Sequence, residues 1–448
     1  MAADDAFPLP RQQAELCSFD GGVEERAWLV RPDRYRDLEQ LPDGMRRIVR
    51  GGGYSYAAAS FGGGALVQDF RAFDRVLGFD AESGRVRCEA GITLGKLFAF
   101  AAARGLYLPV QPGHPDITVG GCIAADVHGK SPALDGTFRR WVVELTLFHP
   151  ARGLQTASAE ENAELFELTC GGYGLTGHIV AATLQLRPLP IEWELENVAA
   201  LSLLATVDLL VERGAGAGLA YTWNDLCASG AAFGRGFLHL GRAVNGDAAR
   251  ADGAPPRYQR LPPCARSPLR AWRRPVTPLF NRAYGGLQRL GRHRQAKPFA
   301  LLFPIASRAA YFRLFGGRGL HEYQVLVPRP AFAAFARGLQ EAVQRLRVAP
   351  TLGSCKLFTA TGGHLRFAGD GICMAVDFPR SATSVAFAAR LDDLTAEVGG
   401  IPNVIKDSRL PRAVVERCYP RLDDFRRGLL RLDADRLYRS ELAERLAL

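Results

Sequence analysis

Glycine recurs at three turns, Gly51-Gly52-Gly53, Gly113 to Gly121 and Gly171 to Gly177, each beside a stretch that reads as a strand or the start of a helix. Backbone without a Cβ can lie flat against another surface, and successive N–H groups at a turn converge on anionic oxygens. One such turn alone is as well explained by a tight bend. Three in one half of a chain are expected where the backbone lines a long, flat, phosphate-bearing molecule.

The 448 residues suit two domains of ordinary size, and 48% hydrophobic residues allow a sizeable core. The net charge of +10 is local: from Gly253 to His321 there is no Asp or Glu, while arginines run from Arg257 through Arg273, Arg282, Arg294 and Arg308 to Arg318. The prolines of this segment favour a loop, and Leu269, Trp272, Phe280 and Tyr284 among the arginines suit an interfacial membrane contact. No nucleic-acid reading module accompanies the charge, so no nucleic-acid partner is expected. The nine cysteines are scattered without a CxxC, which points to neither a zinc site nor a disulfide framework, and no metal is expected. The first residues, MAADDAFPLP, lack an apolar core, and no run of about 20 apolar residues appears, so the expectation is a cytoplasmic protein, peripheral at most on the inner face of the membrane.

Period-2 patterning predicts strands near 48–50, 65–69, 76–80, 85–90, 142–149, 177–186, 323–327 and 371–378. Helical spacing predicts helices over 94–104, 160–169, 201–212, 331–346 and 385–398, and a helical, charged tail from Tyr419.

The order and content of the glycine segments resemble the flavoprotein family of vanillyl-alcohol oxidase and p-cresol methylhydroxylase, in which a phosphate-binding loop follows a strand and a PGxxxxTVGG segment lines the flavin. Further segments, Ser55-Tyr56, DVHGK at 126–130, GLTG from Gly174, VDFP from Val376, KDSR from Lys406 and YPRLDDF from Tyr419, resemble the decaprenylphosphoryl-β-D-ribose 2′-oxidase family within it. The HWxK signature of the aldonolactone oxidases is absent.

The resemblance implies an α+β, two-domain flavoprotein. A PCMH-type FAD-binding domain would span residues 1–190 and be completed by the C-terminal return, 397–448. A substrate domain built on an antiparallel sheet would be inserted at 191–396, with a mobile basic loop at 253–298. It implies FAD held by Gly51, Gly53, Ser55, Tyr56, Gly113, Thr118, Gly120, Gly121, Ala125, His128, Gly129, Gly177 and Ile179. Many members of the wider family attach the flavin to a histidine after the triple glycine. Tyr54 stands there, which implies non-covalent FAD. The substrate pocket would hold Tyr56, Lys130, Trp223, Gln324, Lys356, Cys373 and Lys406, with Lys406, His128 and Lys130 in catalytic roles. Three departures alter that pocket. Ala375 replaces a cysteine, with Cys373 two residues earlier on the same strand face; Asn403 replaces a tyrosine; Glu322 replaces a glutamine.

The implied reaction is oxidation of the 2′-hydroxyl of a polyprenyl-phosphate ribose, with an NAD(P)-dependent keto-sugar reductase completing an epimerisation to arabinose for cell-wall arabinan. The residues leave two other readings open. One is a flavin oxidase or dehydrogenase of a soluble sugar or natural-product alcohol. The other is a basic membrane-surface protein with degenerate flavin loops.

Overall fold

The computed structural model describes residues 7–42, 44–245, 258 and 268–448. Its first region carries two sheets. Strands Arg11–Cys17 and Glu24–Val30 pair antiparallel, and Leu66–Asp69 and Arg47–Arg50 then extend the sheet in parallel. The second sheet is antiparallel, in the order Val76–Asp80, Arg85–Glu89, His178–Gln185, Val142–His149, Gly153–Ser158. The C-terminal segment is stitched into this region. Arg47 N–H donates to the Leu437 carbonyl at 2.7 Å, and the buried His178 ring bonds both Tyr438 Oη and Gln68 Oε1 at 2.5 Å. Helices Leu422–Leu432 and Glu441–Leu446 share one apolar cluster with Leu29, Ile48 and Val67.

The second region is an antiparallel sheet of eight strands: His293–Ala296, Glu192–Ala200, Arg235–Val244, Leu219–Asp225, Leu352–Thr359, Asp370–Pro379, Leu320–Val327 and Ile401–Pro402. Alternation along the strands gives it two chemically different faces. Tyr323, Val325, Cys355, Leu357, Ile372, Met374, Val376 and Phe378 point one way and meet Leu210, Leu339 and Phe387 from helices Leu203–Gly214, Phe332–Arg345 and Ala382–Glu397. Burial of each such large side chain contributes about 1.5–3 kcal/mol. The intervening residues, Glu322, Gln324, Ser354, Lys356, Cys373, Ala375 and Asp377, point the other way and line a cavity. Cys373 and Ala375 therefore share a strand face, as the alternation predicts.

Three expectations need correction. The basic stretch 253–298 is not simply the loop its prolines suggest. Among its described residues it contains a helix, Val276–Leu290, and an edge strand, His293–Ala296, paired with Glu192–Ala200. The helix forms because Thr277, Asn281 and Tyr284 fall on one face; Asn281 Nδ2 donates to the buried Asp225 carboxylate at 3.0 Å, and Tyr284 meets Trp223. Within that stretch, residues 253–257 and 259–267 lie outside the described residues. The loop after Gly113 contains a short helix, Val119–Ala124, whose N-cap Thr118 accepts from Gly121 N–H. Among the described residues seven cysteines are free thiols, but Cys17 is disulfide-bonded, which the spacing of cysteines does not suggest.

Candidate active site

Two cavities meet where the C-terminal segment leaves the large sheet and enters the first region. The first, of about 200 Å³, is walled by Gly51-Gly52-Gly53, Tyr54, Ser55, Thr118, Gly120, Gly121, Gly174, Gly177 and Ile179. Its glycines are there for close approach. A Cβ on Gly51 would sit 2.2 Å from Thr118 Oγ1, so the first and second turns pack backbone to side chain. At Gly177, φ is +136° and a Cβ would lie 2.8 Å from the Phe148 carbonyl oxygen. A side chain there is strained and blocked at once. The result is a narrow slot with a backbone wall, drawn from three separated segments. A flat dinucleotide with a pyrophosphate fits such a slot, since the wall offers N–H groups and little bulk.

The second cavity, of about 250 Å³, is lined by side chains of the large sheet together with Arg294, Arg308, Tyr311 and Lys406. Tyr56, Pro112, Ala125, Val127, Ile305, Ile405 and Lys406 line both cavities. Lys406 is set at this junction by backbone on either side. Asn403 N–H donates to the Gln324 carbonyl at 2.8 Å, and the Ile405 carbonyl accepts from Ala57 N–H at 3.0 Å. The rest of the KDSR segment anchors it: Asp407 and Asp392 bind Arg409, and Ser408 Oγ donates to Asp20 at 2.5 Å. Lys406 itself pairs with Glu322, Nζ to Oε1 3.0 Å, and lies 4.1 Å above the Tyr56 ring.

A hydrogen-bond relay crosses the cavity. Gln324 Oε1 accepts from Asn403 Nδ2 at 2.6 Å and lies 3.3 Å from His128 Nε2. Lys356 Nζ donates to the Gly129 carbonyl at 3.0 Å and lies 3.3 Å from His128 Nδ1. His128 Nδ1 also lies 3.2 Å from the Gly129 carbonyl, so the ring stands between a carbonyl and an ammonium on one side and Gln324 on the other. Burial, and next the Lys356 charge, hold His128 well below its ordinary pKa, which favours the neutral ring. Burial also pushes Lys356 down to about 8, and burial with the Lys356 and Arg308 charges pushes Lys130 well down. Among the described residues no carboxylate forms an ion pair with Lys130, Lys356, Arg294 or Arg308, so this end of the cavity is lined by basic side chains, two half-buried and two exposed.

The structure brings most of the expected residues together. Gly51, Gly53, Ser55, Tyr56, Thr118, Gly120, Gly121, Ala125, Gly177 and Ile179 line the first cavity, and Tyr56, Lys130, Trp223, Gln324, Lys356, Cys373 and Lys406 line the second. Gly113 and His128 line the second cavity. Gly129 lies behind the wall, where a Cβ would touch the backbone of Val110 and Gln111 at 3.4 Å. Asp126 sets the course of the chain at His128. Its backbone is left-handed (φ +41°) and its buried carboxylate accepts from Arg139 N–H and Thr137 Oγ1, so the chain turns from one cavity into the other. Sequence reasoning does not assign Tyr54, His114, Asp377, Tyr311, Arg294 or Arg308 to a cavity wall, and it marks Glu322 only as a departure. Tyr54 stacks on His114 with ring centroids 4.6 Å apart. Alternation around VDFP could have found Asp377, because it shares a face with Cys373.

A model for an FAD binding domain matches residues 42–157, which contain the first two glycine turns and the strands between them. Beyond the slot's shape, this defines an FAD-dependent oxidoreductase that acts on CH–OH groups. Decaprenylphosphoryl-beta-D-ribose oxidase from Mycolicibacterium smegmatis is 30% identical over 416 residues, covering 90% of this chain and 89% of that protein. The chain belongs to the family of that oxidase, within the vanillyl-alcohol oxidase and p-cresol methylhydroxylase flavoproteins. Shorter similarities reach D-lactate dehydrogenase from Anaerostipes hadrus, 29% identical over 38% of this chain and 35% of that protein, and bovine L-gulonolactone oxidase, 32% identical over 31% of each. When bound, FAD supplies the two-electron acceptor for carbon-bound hydrogen.

Proposed function

We propose that this protein holds FAD without a covalent link and oxidises the 2′-hydroxyl of a polyprenyl-phosphate ribose to the 2′-ketone. The observation that carries the reading is the charge of the second cavity. It opens onto the flavin slot at Lys406 and Tyr56, and at its other reach it gathers Lys130, Lys356, Arg294 and Arg308 with no ion-pair partner among the described residues. Arg294 and Arg308 are exposed and Lys130 and Lys356 half-buried, and four basic side chains that line one cavity without a carboxylate partner suit an anionic ligand; a sugar phosphate places an alcohol at one end and the anion at the other. Lys406 would hold the reacting hydroxyl. His128 and Lys130 would position the sugar beside the flavin face. Tyr54 engages His114 and Asp116 rather than standing free, which suits dissociable FAD.

The product would be a keto sugar, and an NAD(P)-dependent reductase would complete the epimerisation to an arabinan precursor. The helix Val276–Leu290 supports a peripheral membrane contact for delivery of the lipid. Val276, Leu279, Phe280, Leu287 and Leu290 form an outward stripe, with Leu279 69% and Leu290 86% exposed, flanked by Arg273, Arg282, Arg289 and Arg292. Such a face suits an anionic leaflet. Among the described residues, no helix is long and apolar enough to cross a membrane.

Acid precipitation of the purified protein tests the cofactor: the flavin band should move to the supernatant, and a band retained in the pellet would show a covalent link. Substrate trials then compare prenyl-phosphoryl ribose with free sugars. Equal use of both would move the reading to a soluble-sugar oxidase. A protein that takes up no FAD would move it to a surface-binding protein.

A further inference from the structure

Glu322 stands at the junction of the cavities, and the roles assigned above leave it without a task. It lies on strand Leu320–Val327 directly across from Asp377 on strand Asp370–Pro379, and both side chains face the second cavity. Glu322 Oε1 is 3.0 Å from Lys406 Nζ. Asp377 Oδ2 accepts from Tyr311 Oη at 2.8 Å, while its Oδ1 is buried with no hydrogen-bond partner among the described residues. Burial, and next the neighbouring Glu322 charge, push Asp377 well above the carboxylate range, so it stays protonated. Burial also raises Tyr56 and Tyr311, leaving both as neutral donors. Of the two facing carboxyls, Glu322 is the one that pairs with a cation, Lys406.

An ammonium in an ion pair has no lone pair. Lys406 in this geometry can donate to a substrate oxygen but cannot take its proton. An alcohol that becomes a ketone must lose both a proton and a hydride, so a separate acceptor is required. We infer that Glu322 is the catalytic base, receiving the hydroxyl proton while Lys406 holds the oxygen. This rests on the reading of the cavity as an alcohol-oxidising site. In the step, the O–H bond breaks and its proton bonds to a Glu322 carboxylate oxygen. The C–H bond breaks, and hydrogen with its electron pair passes to the bound flavin, the oxidant. The C–O bond becomes C=O. The titratable groups that bear on Glu322 are Lys406 from the C-terminal segment, Tyr56 from the first glycine turn, Tyr311, Asp377 and Cys373 from the adjacent strand, and Lys356 beyond it.

The test uses full-length, FAD-loaded protein with a short-chain prenyl-phosphoryl ribose, following flavin bleaching without oxygen. Binding of the 2-deoxy analogue, which cannot react, is read separately from the shift of the flavin band. Glu322→Gln should lower the limiting bleaching rate by about 10²–10⁴-fold. Affinity for the analogue should change by less than about threefold. Glu322→Asp should recover part of the loss. In the unaltered protein the limiting rate should fall as the pH is lowered; a rate that stays flat until the fold is lost overturns the assignment without any variant. Glu322→Gln bleaching at the unaltered rate, or losing rate and analogue affinity in parallel, overturns the base role and leaves the alcohol-oxidising reading standing. A wild-type protein that binds the analogue yet is never bleached by the reactive sugar removes both.

Discussion

The first and second cavities share seven lining residues but are built by opposite means. The first is a backbone slot: Gly51, Gly120 and Gly177 keep side chains out so that three segments approach one another closely. The second is a side-chain surface, in which alternate residues of a regular sheet present Glu322, Gln324, Lys356, Cys373 and Asp377. Such a wall tolerates few substitutions, because an added Cβ meets the Thr118 side chain at Gly51, Ala90 at Gly120 and the Phe148 carbonyl at Gly177. Side-chain walls can change one residue at a time while the strands beneath stay as they are. The departures at Glu322, Ala375 and Asn403 all lie in the second cavity, and none lies in the slot.

The comparison is broken most sharply at Lys406, which belongs to both. Lys406→Ala should lower the limiting rate of flavin reduction by about 10²–10³-fold, the effect of removing one donor to a developing oxyanion, while flavin content stays whole. Full turnover in that variant would remove Lys406 from the chemistry. Next in size is Gly177→Ala. With φ at +136° and the Phe148 carbonyl 2.8 Å away, the added methyl should weaken FAD by about 1–3 kcal/mol, or roughly 5- to 150-fold, seen by equilibrium dialysis. Phosphate-sugar binding to the other cavity should be little changed, and equal damage to both would mean that the two walls are not separable.

The asymmetry also governs what can be read from the sequence. Gly51, Gly120 and Gly177 are legible because repeated glycine at turns beside strands marks backbone that must bend sharply or lie close to a neighbour. The strand Val142–His149 is legible because its alternation runs undisturbed. The Glu322–Asp377 pair is not, since the two residues lie 55 positions apart and meet only through the register of two strands. The helix Val276–Leu290 is hidden by the surrounding prolines and arginines, and its spacing becomes decisive only once Asn281 and Tyr284 are seen to dock on Asp225 and Trp223. Nothing in the letters DVHGK announces the left-handed turn at Asp126 that brings His128 to the second cavity.

A smaller effect comes from pH. Burial lowers Lys356 to about 8, and an anion is held only by the ammonium form. Binding of the sugar phosphate should be full below that value and should weaken as the pH rises through it, by about tenfold per unit at most. Calorimetry at several pH values checks the sign; binding that strengthens above pH 8 would contradict it. The least effect is expected at Cys373, a buried thiol whose pKa burial pushes up to about 12. Iodoacetamide at neutral pH should leave it unmodified in the folded protein by mass spectrometry.

The central claim is that one continuous space joins a bound flavin to an anion-seeking sugar cavity. It is tested most directly by anaerobic titration of the FAD-loaded protein with prenyl-phosphoryl ribose and, in parallel, with free ribose, following the visible flavin band. The account predicts stoichiometric bleaching by the phosphorylated sugar and little by the free one. Bleaching by neither, or equally by both, would contradict it.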